Sequence, residues 1–205
     1  MLGNERPTPF VVAGIAGSLR RGSYNRALLR SAGELAPPNL RIEMHEIADI
    51  PLFNEDVEKA GAPEAVARLR KAVADADGLL IATPEYNYGV PGVLKNTIDW
   101  LSRPPRGSVL NGKPAAIMGA SPGAVGTARS QSQLRQAFAF TNTPAMLQPE
   151  LLVAHASQKF DADGRLTDEA TREFLGGFLG QFAAWIGRFD TRVDQSTAVG
   201  REPGR

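Results

Sequence analysis

Residues 78–100 read GLLIATPEYNYGVPGVLKNTIDW. The apolar start of this stretch predicts a buried parallel strand, and the proline at position 91 predicts the first turn of a helix. Open α/β sheets bind ligands at the carboxyl ends of their strands, so the loop between the strand and the helix is expected to contact a ligand. Aromatic faces in this loop suit a flat ring with polar edges. The residues that form it are Pro84, Glu85, Tyr86, Asn87 and Tyr88.

The N-terminal part of the chain has the same arrangement of strand, loop and helix. Residues 10–16 are apolar and rich in β-branched side chains, and residues 26–35 have the spacing of an amphipathic helix. The loop between them offers four side chains that donate hydrogen bonds, namely Ser18, Arg20, Ser23 and Asn25. Together with the N–H groups that a helix start leaves unpaired, they predict a site for a phosphate monoester. The alternative is that the serine and asparagine side chains only cap the helix.

The rest of the chain continues to alternate strand and helix patterns. Strands are predicted at residues 40–47, 114–120 and 145–154, and helices at residues 63–74, 127–140 and 168–189. The connection over residues 48–62 is longer than usual, and we expect a loop there that covers a ligand or an interface.

These motifs resemble the NADPH-dependent FMN reductase family, whose members share a flavodoxin-like fold and include bacterial chromate, quinone and azo-dye reductases. The resemblance extends over about residues 10–186. It is carried by GSLR at 17–20 with Ser23 and Asn25, by PEYN at 84–87 with Pro91, and by LKN at 94–96 with Asp99 and Trp100. A third segment, PAAIMGASPGAVGTAR at 114–129, matches the family's loop after its fourth strand, close to the flavin ring.

The resemblance implies the fold and the cofactor. It implies a three-layer α/β/α sandwich with a five-stranded parallel sheet in the order 2-1-3-4-5, which binds FMN without a covalent bond. We expect one domain over residues 9–190, an N-terminal tail over residues 1–8 and a loose tail over residues 191–205. The phosphate and ribityl chain are expected at the first loop, the ring along residues 84–88, and its pyrimidine end near Ser121 and Gly123.

The resemblance also implies the reaction. NADPH or NADH is the hydride donor, and a small oxidised acceptor then takes the electrons in a ping-pong cycle. The acceptor is a quinone, chromate, an azo or nitro compound, or free flavin. No catalytic side chain is expected, because the cofactor carries out the transfer and the protein positions it.

A homodimer or a homotetramer is a further implication of the resemblance. Residues 49–56 and the helix that begins at Pro91 offer surface for such contacts. Arg129 and Glu150 match positions where the family can place charged interface contacts. Ser132 stands where relatives can carry tyrosine, so a dimer is better supported than a tetramer.

Composition excludes several classes of protein. The chain has 205 residues, 42% of them hydrophobic, and no cysteine, which excludes disulfides and thiolate chemistry. A net charge of +1 gives no general attraction to nucleic acid. Without a membrane span or a signal-peptide core, we expect a cytoplasmic protein with small-molecule partners and no membrane contact. His45 and His155 lack companion ligands, so we expect structural roles for them and no metal.

Two other functions are compatible with this fold. The first is a flavodoxin-type electron carrier, although such carriers are typically acidic and have a threonine-rich phosphate loop. The second is a binding module without enzymatic activity, which would be colourless when purified. A tightly held dinucleotide is disfavoured, because no G-x-G-x-x-G motif follows the first strand.

Overall fold

The computed structural model describes residues 8–190, so residues 1–7 and 191–205, in which the two tails were expected, lie outside the described residues. Five parallel strands form one sheet, in the order β2-β1-β3-β4-β5, which confirms the predicted topology. Their bounds are β1 (Phe10–Ala16), β2 (Leu40–His45), β3 (Gly78–Ala82), β4 (Ala115–Ala120) and β5 (Leu151–Val153). In the centre of the sheet Leu80 lies opposite Gly14 on one side and Ala116 on the other.

Helices cover both faces of the sheet. They are α1 (Tyr24–Glu34), α2 (Glu55–Ala60), α3 (Glu64–Asp75), α4 (Gly92–Leu101), α5 (Ala128–Phe140) and α6 (Glu169–Gly187), with 3₁₀ turns at Pro105–Gly107 and Ala156–Gln158. α1 and α6 pack against one face, and α3, α4 and α5 pack against the other. This confirms the three-layer sandwich. Over residues 8–190, no helix combines the length and the hydropathy that a membrane span needs.

Alternate side chains of the central strands supply two cores. Val12 and Leu80 contribute to the core beneath α1 and α6, while Ile15 and Ile81 contribute to the core beneath α3, α4 and α5. All four side chains are fully buried. Because both faces of these strands are covered, their sequences are continuous apolar runs rather than alternating ones.

Residues 48–62, predicted as a loop, contain the short helix α2. The side-chain oxygen of Asn54 caps it at 2.8 Å from an N–H group of the first turn. None of the α2 side chains is buried, so the sequence carries no apolar period that would indicate a helix. Asn96 of α4 anchors the segment, because its side chain accepts from the N–H of Phe53 at 2.7 Å and donates to the carbonyl of Pro51 at 2.8 Å.

The last strand is shorter than predicted. Of residues 145–154, only Leu151–Val153 form ladder pairs with β4, and Ala145 makes an isolated bridge to that strand. Pro149 interrupts the run because it has no N–H group to donate. His155, the residue after the predicted strand, lies beyond β5 with a φ of 49°.

The aromatic side chains in and just after α6 lie only partly in the core. Phe178 and Phe182 are buried between α6 and the sheet. Phe174 is 49% exposed, and Phe189 lies beyond the helix end and is 40% exposed. Trp185 is half-buried, and its indole N–H donates to a backbone carbonyl at 2.9 Å.

Candidate functional site

The three loops that the sequence singled out follow β1, β3 and β4 at one edge of the sheet. They are neighbours because β3 lies between β1 and β4. The N–H of Gly17 donates to the carbonyl of Ala82 at 2.9 Å, which joins the first loop to the end of β3. A Cβ at Gly17 would lie 2.8 Å from Leu94 and 3.3 Å from Pro84, so a glycine is needed for this close approach.

The first loop presents two buried serine hydroxyls, those of Ser18 and Ser23. Ser23 is the N-cap of α1, and its oxygen accepts from the N–H of Arg26 at 3.3 Å. Its hydroxyl hydrogen is left to donate elsewhere. The oxygen of Ser18 lies 3.4 Å from the hydroxyl of Tyr86, so the first and second loops meet at this point.

Further donors surround these hydroxyls. Arg20 is exposed and forms an ion pair with no carboxylate in residues 8–190. The backbone N–H groups of Tyr24 and Asn25 donate to no protein acceptor within the same residues. A free guanidinium, two hydroxyls and the N–H groups of a helix start form the kind of donor set that phosphate oxygens bind.

The side chain of Asn25 has a different role from the one predicted. It is buried, its amide donates to the carbonyl of Ala120 at 2.9 Å, and its oxygen accepts from the N–H of Ala120 at 2.9 Å. This pair ties the start of α1 to the end of β4. What Asn25 offers to a ligand in the first loop is therefore its backbone N–H rather than its paired side chain.

The second loop folds into a tight turn. Tyr86 and Gly89 exchange two backbone hydrogen bonds of 3.1 and 3.0 Å. Asn87 and Tyr88 between them have positive φ angles of 50° and 66°. Pro84 is buried at the end of β3, whereas the side chains of Tyr86 and Tyr88 are 45% and 73% exposed. Two tyrosine rings without core contacts at a sheet edge are available to a ligand.

The carboxylate of Glu85 binds the first turn of α5. One oxygen accepts from the N–H groups of Arg129 at 2.9 Å and Ser130 at 3.2 Å, and the other accepts from the Arg129 guanidinium at 2.9 Å. The N-cap residue of α5, Thr127, makes no side-chain capping bond. Glu85 therefore caps α5. Arg129 belongs to the same chain as Glu85, so this ion pair does not cross a subunit interface.

The electrostatics of Glu85 follow from these contacts. Burial raises the pKa of its carboxyl, but the hydrogen bonds from the Arg129 guanidinium and from the N–H groups of Ser130 and Arg129 together outweigh burial. The net effect lowers the pKa from its ordinary value. Glu85 is therefore ionised at neutral pH, where its negative charge also favours the N-terminus of α5.

The third loop is fixed by its own backbone and by the end of β5. The N–H of Ser121 donates to the carbonyl of Val153 at 2.9 Å, and the Ser121 hydroxyl accepts from the N–H of Gly123 at 3.1 Å. The carbonyl of Gly123 accepts from the N–H of His155 at 3.1 Å. The side of this loop that holds Gly123 is exposed beside Val125, which is itself 44% exposed.

The contacts that hold the second loop from outside could not be predicted from the sequence. Arg129, Ser130 and Gln133 of α5 all contact it, and Gln133 accepts from the N–H of Val90 at 2.6 Å. A glutamate beside a ligand loop does not indicate which helix it caps, so the residue types carry little information on these contacts. Residues 8–190 contain no cluster of histidine, aspartate or glutamate side chains suited to a metal ion.

The chain matches known proteins over most of its length. The family model for NADPH-dependent FMN reductase matches residues 11–158. An NAD(P)H-dependent FMN reductase of Pseudomonas aeruginosa is 51% identical over 177 residues, which cover 86% of this chain and 95% of that protein. A 2-hydroxy-1,4-benzoquinone reductase of a Burkholderia species is 44% identical over 175 residues, which cover 85% of this chain and 95% of that protein.

A similar solved structure is that of FerB, a flavoenzyme NAD(P)H:(acceptor) oxidoreductase from Paracoccus denitrificans. It superposes with a TM-score of 0.81 at 39% sequence identity and covers 88% of this chain and 98% of FerB. At this identity the likeness extends beyond the fold.

Proposed function

Because the chain belongs to the NADPH-dependent FMN reductase family, we propose that it is an FMN-dependent oxidoreductase that passes electrons from NADPH or NADH to a small quinone. The observation that carries the proposal is the donor set of the first loop next to the two exposed tyrosines of the second loop. The phosphate and the ring of one FMN need these two kinds of surface side by side.

The residues at the sheet edge fit FMN in three parts. Ser18, Arg20 and Ser23, with the N–H of Asn25, would hold the phosphate and the ribityl chain. Residues 84–88 would lie along the ring through Pro84, the backbone of Glu85 and Asn87, and the rings of Tyr86 and Tyr88. Ser121 and Gly123 would face its pyrimidine end. The donor set includes no acid, which suits the negative charge of the phosphate.

When bound, FMN supplies the redox chemistry, because its ring accepts a hydride from the nicotinamide and returns electrons to an acceptor. The protein needs no general base for this reaction, and we assign no catalytic side chain. Its residues would orient the ring and place hydrogen bonds at the ring edge.

The cheapest test is an absorbance spectrum of the purified protein, followed by an assay of NADPH oxidation with and without a quinone. A yellow protein that oxidises NADPH only when an acceptor is present supports the proposal. The same assay can be run with chromate, an azo dye, a nitro compound or free FMN in place of the quinone. The rates of NADPH oxidation then rank these acceptors. A yellow protein that does not oxidise NADPH would indicate an electron carrier, and a colourless protein that binds no FMN would indicate a binding module.

We also propose a ping-pong cycle. If a single open face of the bound flavin ring receives both the nicotinamide and the acceptor, the two substrates must alternate. Initial rates measured over both substrate concentrations should give parallel lines in double-reciprocal plots. Intersecting lines would show a ternary complex and contradict the cycle.

Finally, we propose that the chain forms a homodimer. A groove of about 710 Å³ lies between α4, α5 and the segment before α2, and its lining includes Phe53, Lys95 and Phe140. It joins the two surfaces that the sequence singled out, residues 49–56 and the helix that follows Pro91. A homotetramer is less well supported, because Ser132 stands where relatives can carry tyrosine, and because the charged residues expected at an interface, Arg129 and Glu150, have partners within the chain at 2.9 and 3.9 Å.

A further inference from the structure

The turn over residues 86–89 holds one residue, Tyr88, in a backbone conformation that its residue type does not favour. Asn87 and Tyr88 both have positive φ angles, 50° and 66°, in the left-handed region, which asparagine tolerates but a bulky residue such as tyrosine rarely adopts. Only two backbone hydrogen bonds, between Tyr86 and Gly89, close the turn from within. A strained backbone of this kind persists when its surroundings hold it in place.

The surroundings that hold this turn belong to α5. Before the turn, Glu85 makes three hydrogen bonds to the first turn of the helix, and its side chain is only 11% exposed. After the turn, the N–H of Val90 donates to the side-chain oxygen of Gln133 at 2.6 Å. The turn is therefore attached to the same helix on both sides.

A third contact covers the turn itself. The guanidinium carbon of Arg129 lies 3.9 Å from the ring centroid of Tyr88, within the range of a cation–π contact. The same guanidinium donates to Glu85. The Glu85 carboxylate thus fixes the arginine that packs on Tyr88. It is the group that links the first turn of α5 to the turn over residues 86–89.

We propose that Glu85 is a positioning residue whose carboxylate, bound to the first turn of α5, presets the turn over residues 86–89 for the flavin ring. The inference rests on the proposed function, since it assigns a role within the FMN site. A loop that is ordered before binding loses less conformational entropy when the ligand arrives, so the preset turn increases affinity for FMN. This side-chain role is separate from any contact that the Glu85 backbone makes with the ring.

The test compares two conservative variants of the full chain. Glu85→Gln removes the charge and turns an amide NH₂ group toward the donors of α5, where only an acceptor fits. Glu64→Gln is the matched control, because Glu64 also lies in the first turn of a helix, α3, and pairs with an arginine, Arg68, on the surface. Titration of each apo-protein with FMN measures Kd. We expect Kd to rise at least tenfold in Glu85→Gln and to stay within twofold of wild type in Glu64→Gln.

Amide hydrogen exchange of the apo-proteins separates positioning from a general loss of stability. In Glu85→Gln the N–H groups of Gly89 and Val90 should exchange faster, while those of Leu80 and Ile81 in β3 keep their wild-type protection. Faster exchange in β3 as well would overturn the proposal, because Glu85 would then act on the fold as a whole.

The remaining outcomes distinguish this proposal from the proposed function. If wild type binds FMN and Glu85→Gln binds it equally well, the positioning role is overturned and the proposed function stands. If wild type binds no FMN, the proposed function is overturned and this inference with it. Should Glu85→Gln fail to fold, Arg129→Gln removes the guanidinium contact and the contact on Tyr88 while it leaves the capping bonds. It should raise Kd about threefold, and an unchanged Kd would overturn the proposal.

Discussion

Arg20 is the cation of the proposed phosphate site. It lies in the first loop, is exposed, and forms no ion pair within residues 8–190. A charge-assisted hydrogen bond contributes about 1.5–3 kcal/mol, so Arg20→Ala should weaken FMN binding by about tenfold to a hundredfold. Titration of the apo-protein with FMN measures the change. Arg68→Ala, which removes an exposed arginine from α3, is the control, and an unchanged Kd in Arg20→Ala would exclude Arg20 from the site.

Gly119 lies where β4, the end of β3 and the start of α5 meet. A Cβ at this position would collide with the hydroxyl of Thr127 and the carbonyl of Thr83. Gly119→Ala should therefore lower the free energy of unfolding by about 1–3 kcal/mol through overpacking. Urea denaturation measures this change in the free energy of unfolding. The control is Gly177→Ala in α6, which adds the same methyl group in open space and should instead stabilise the protein by about 0.5–1 kcal/mol. Equal stability of Gly119→Ala and wild type would contradict this packing argument.

At the scale of single residues, the sequence could indicate which loops meet at the sheet edge but not the directions of their side chains. Ser18, Ser23 and Arg20 could be selected because their donors suit phosphate and they follow a predicted strand. Asn25 and Glu85 lie in the same loops, yet their side chains face β4 and α5. Residue type and spacing do not distinguish a side chain that binds a ligand from one that braces the loop, since both need polar groups near the ligand.

At the scale of elements, the start of α6 shows how a single cap links stability to pH. The Asp168 carboxylate accepts from the N–H of Thr171 at 3.0 Å, from the Thr171 hydroxyl, and from the Lys159 ammonium at 3.2 Å. The hydroxyl of Thr171 is the main cause of the lowered pKa of Asp168, followed by Lys159. A carboxyl whose pKa is lower in the folded state stabilises the fold above its unfolded pKa, about 3.9, and this contribution disappears as pH falls through the folded pKa.

Asp168→Ala should therefore lower the Tm at pH 7, and the difference from wild type should shrink as the pH falls below about 4. Thermal unfolding of both proteins at a series of pH values measures the effect. Glu169→Gln changes the neighbouring, exposed carboxylate of the same helical turn and should leave Tm close to wild type at every pH. A Tm difference for Asp168→Ala that is independent of pH would show that the ionised carboxylate is not the stabilising group.

Strands and helices could be predicted where contacts with the core impose a regular spacing of apolar residues. β1, β3 and α1 were predicted close to their observed bounds, because their apolar spacing reflects contacts with the core. α2 was missed because it buries no side chain, and β5 was predicted too long because an apolar segment that approaches a sheet need not pair with it. The sequence therefore indicates which side chains are buried. It does not indicate which backbone groups form hydrogen bonds, because those depend on tertiary contacts.

At the scale of the whole molecule, the topology could be predicted because each strand is followed by a helix. This alternation requires parallel strands with crossovers on both faces. The order 2-1-3-4-5 came from the family resemblance and is confirmed by the sheet. That order places the loops after β1, β3 and β4 side by side, so the fold itself brings residues about a hundred positions apart into one site.

The face formed by α4 and α5 leads to the last prediction, which concerns assembly. Phe140 at the end of α5 is 92% exposed beside the groove that also holds Phe53 and Lys95, so a partner that covers this face removes apolar surface from water. Light scattering at micromolar concentration should give a mass of about twice 21.9 kDa.

Phe140→Asp should shift the mass toward the monomer, because it would bury a charge without a partner. Phe174→Asp, which changes another exposed phenylalanine on α6, should leave the dimer intact. A wild-type mass near 21.9 kDa would exclude the dimer, and dissociation by both variants alike would place the interface elsewhere, since only one of the two residues lines the groove.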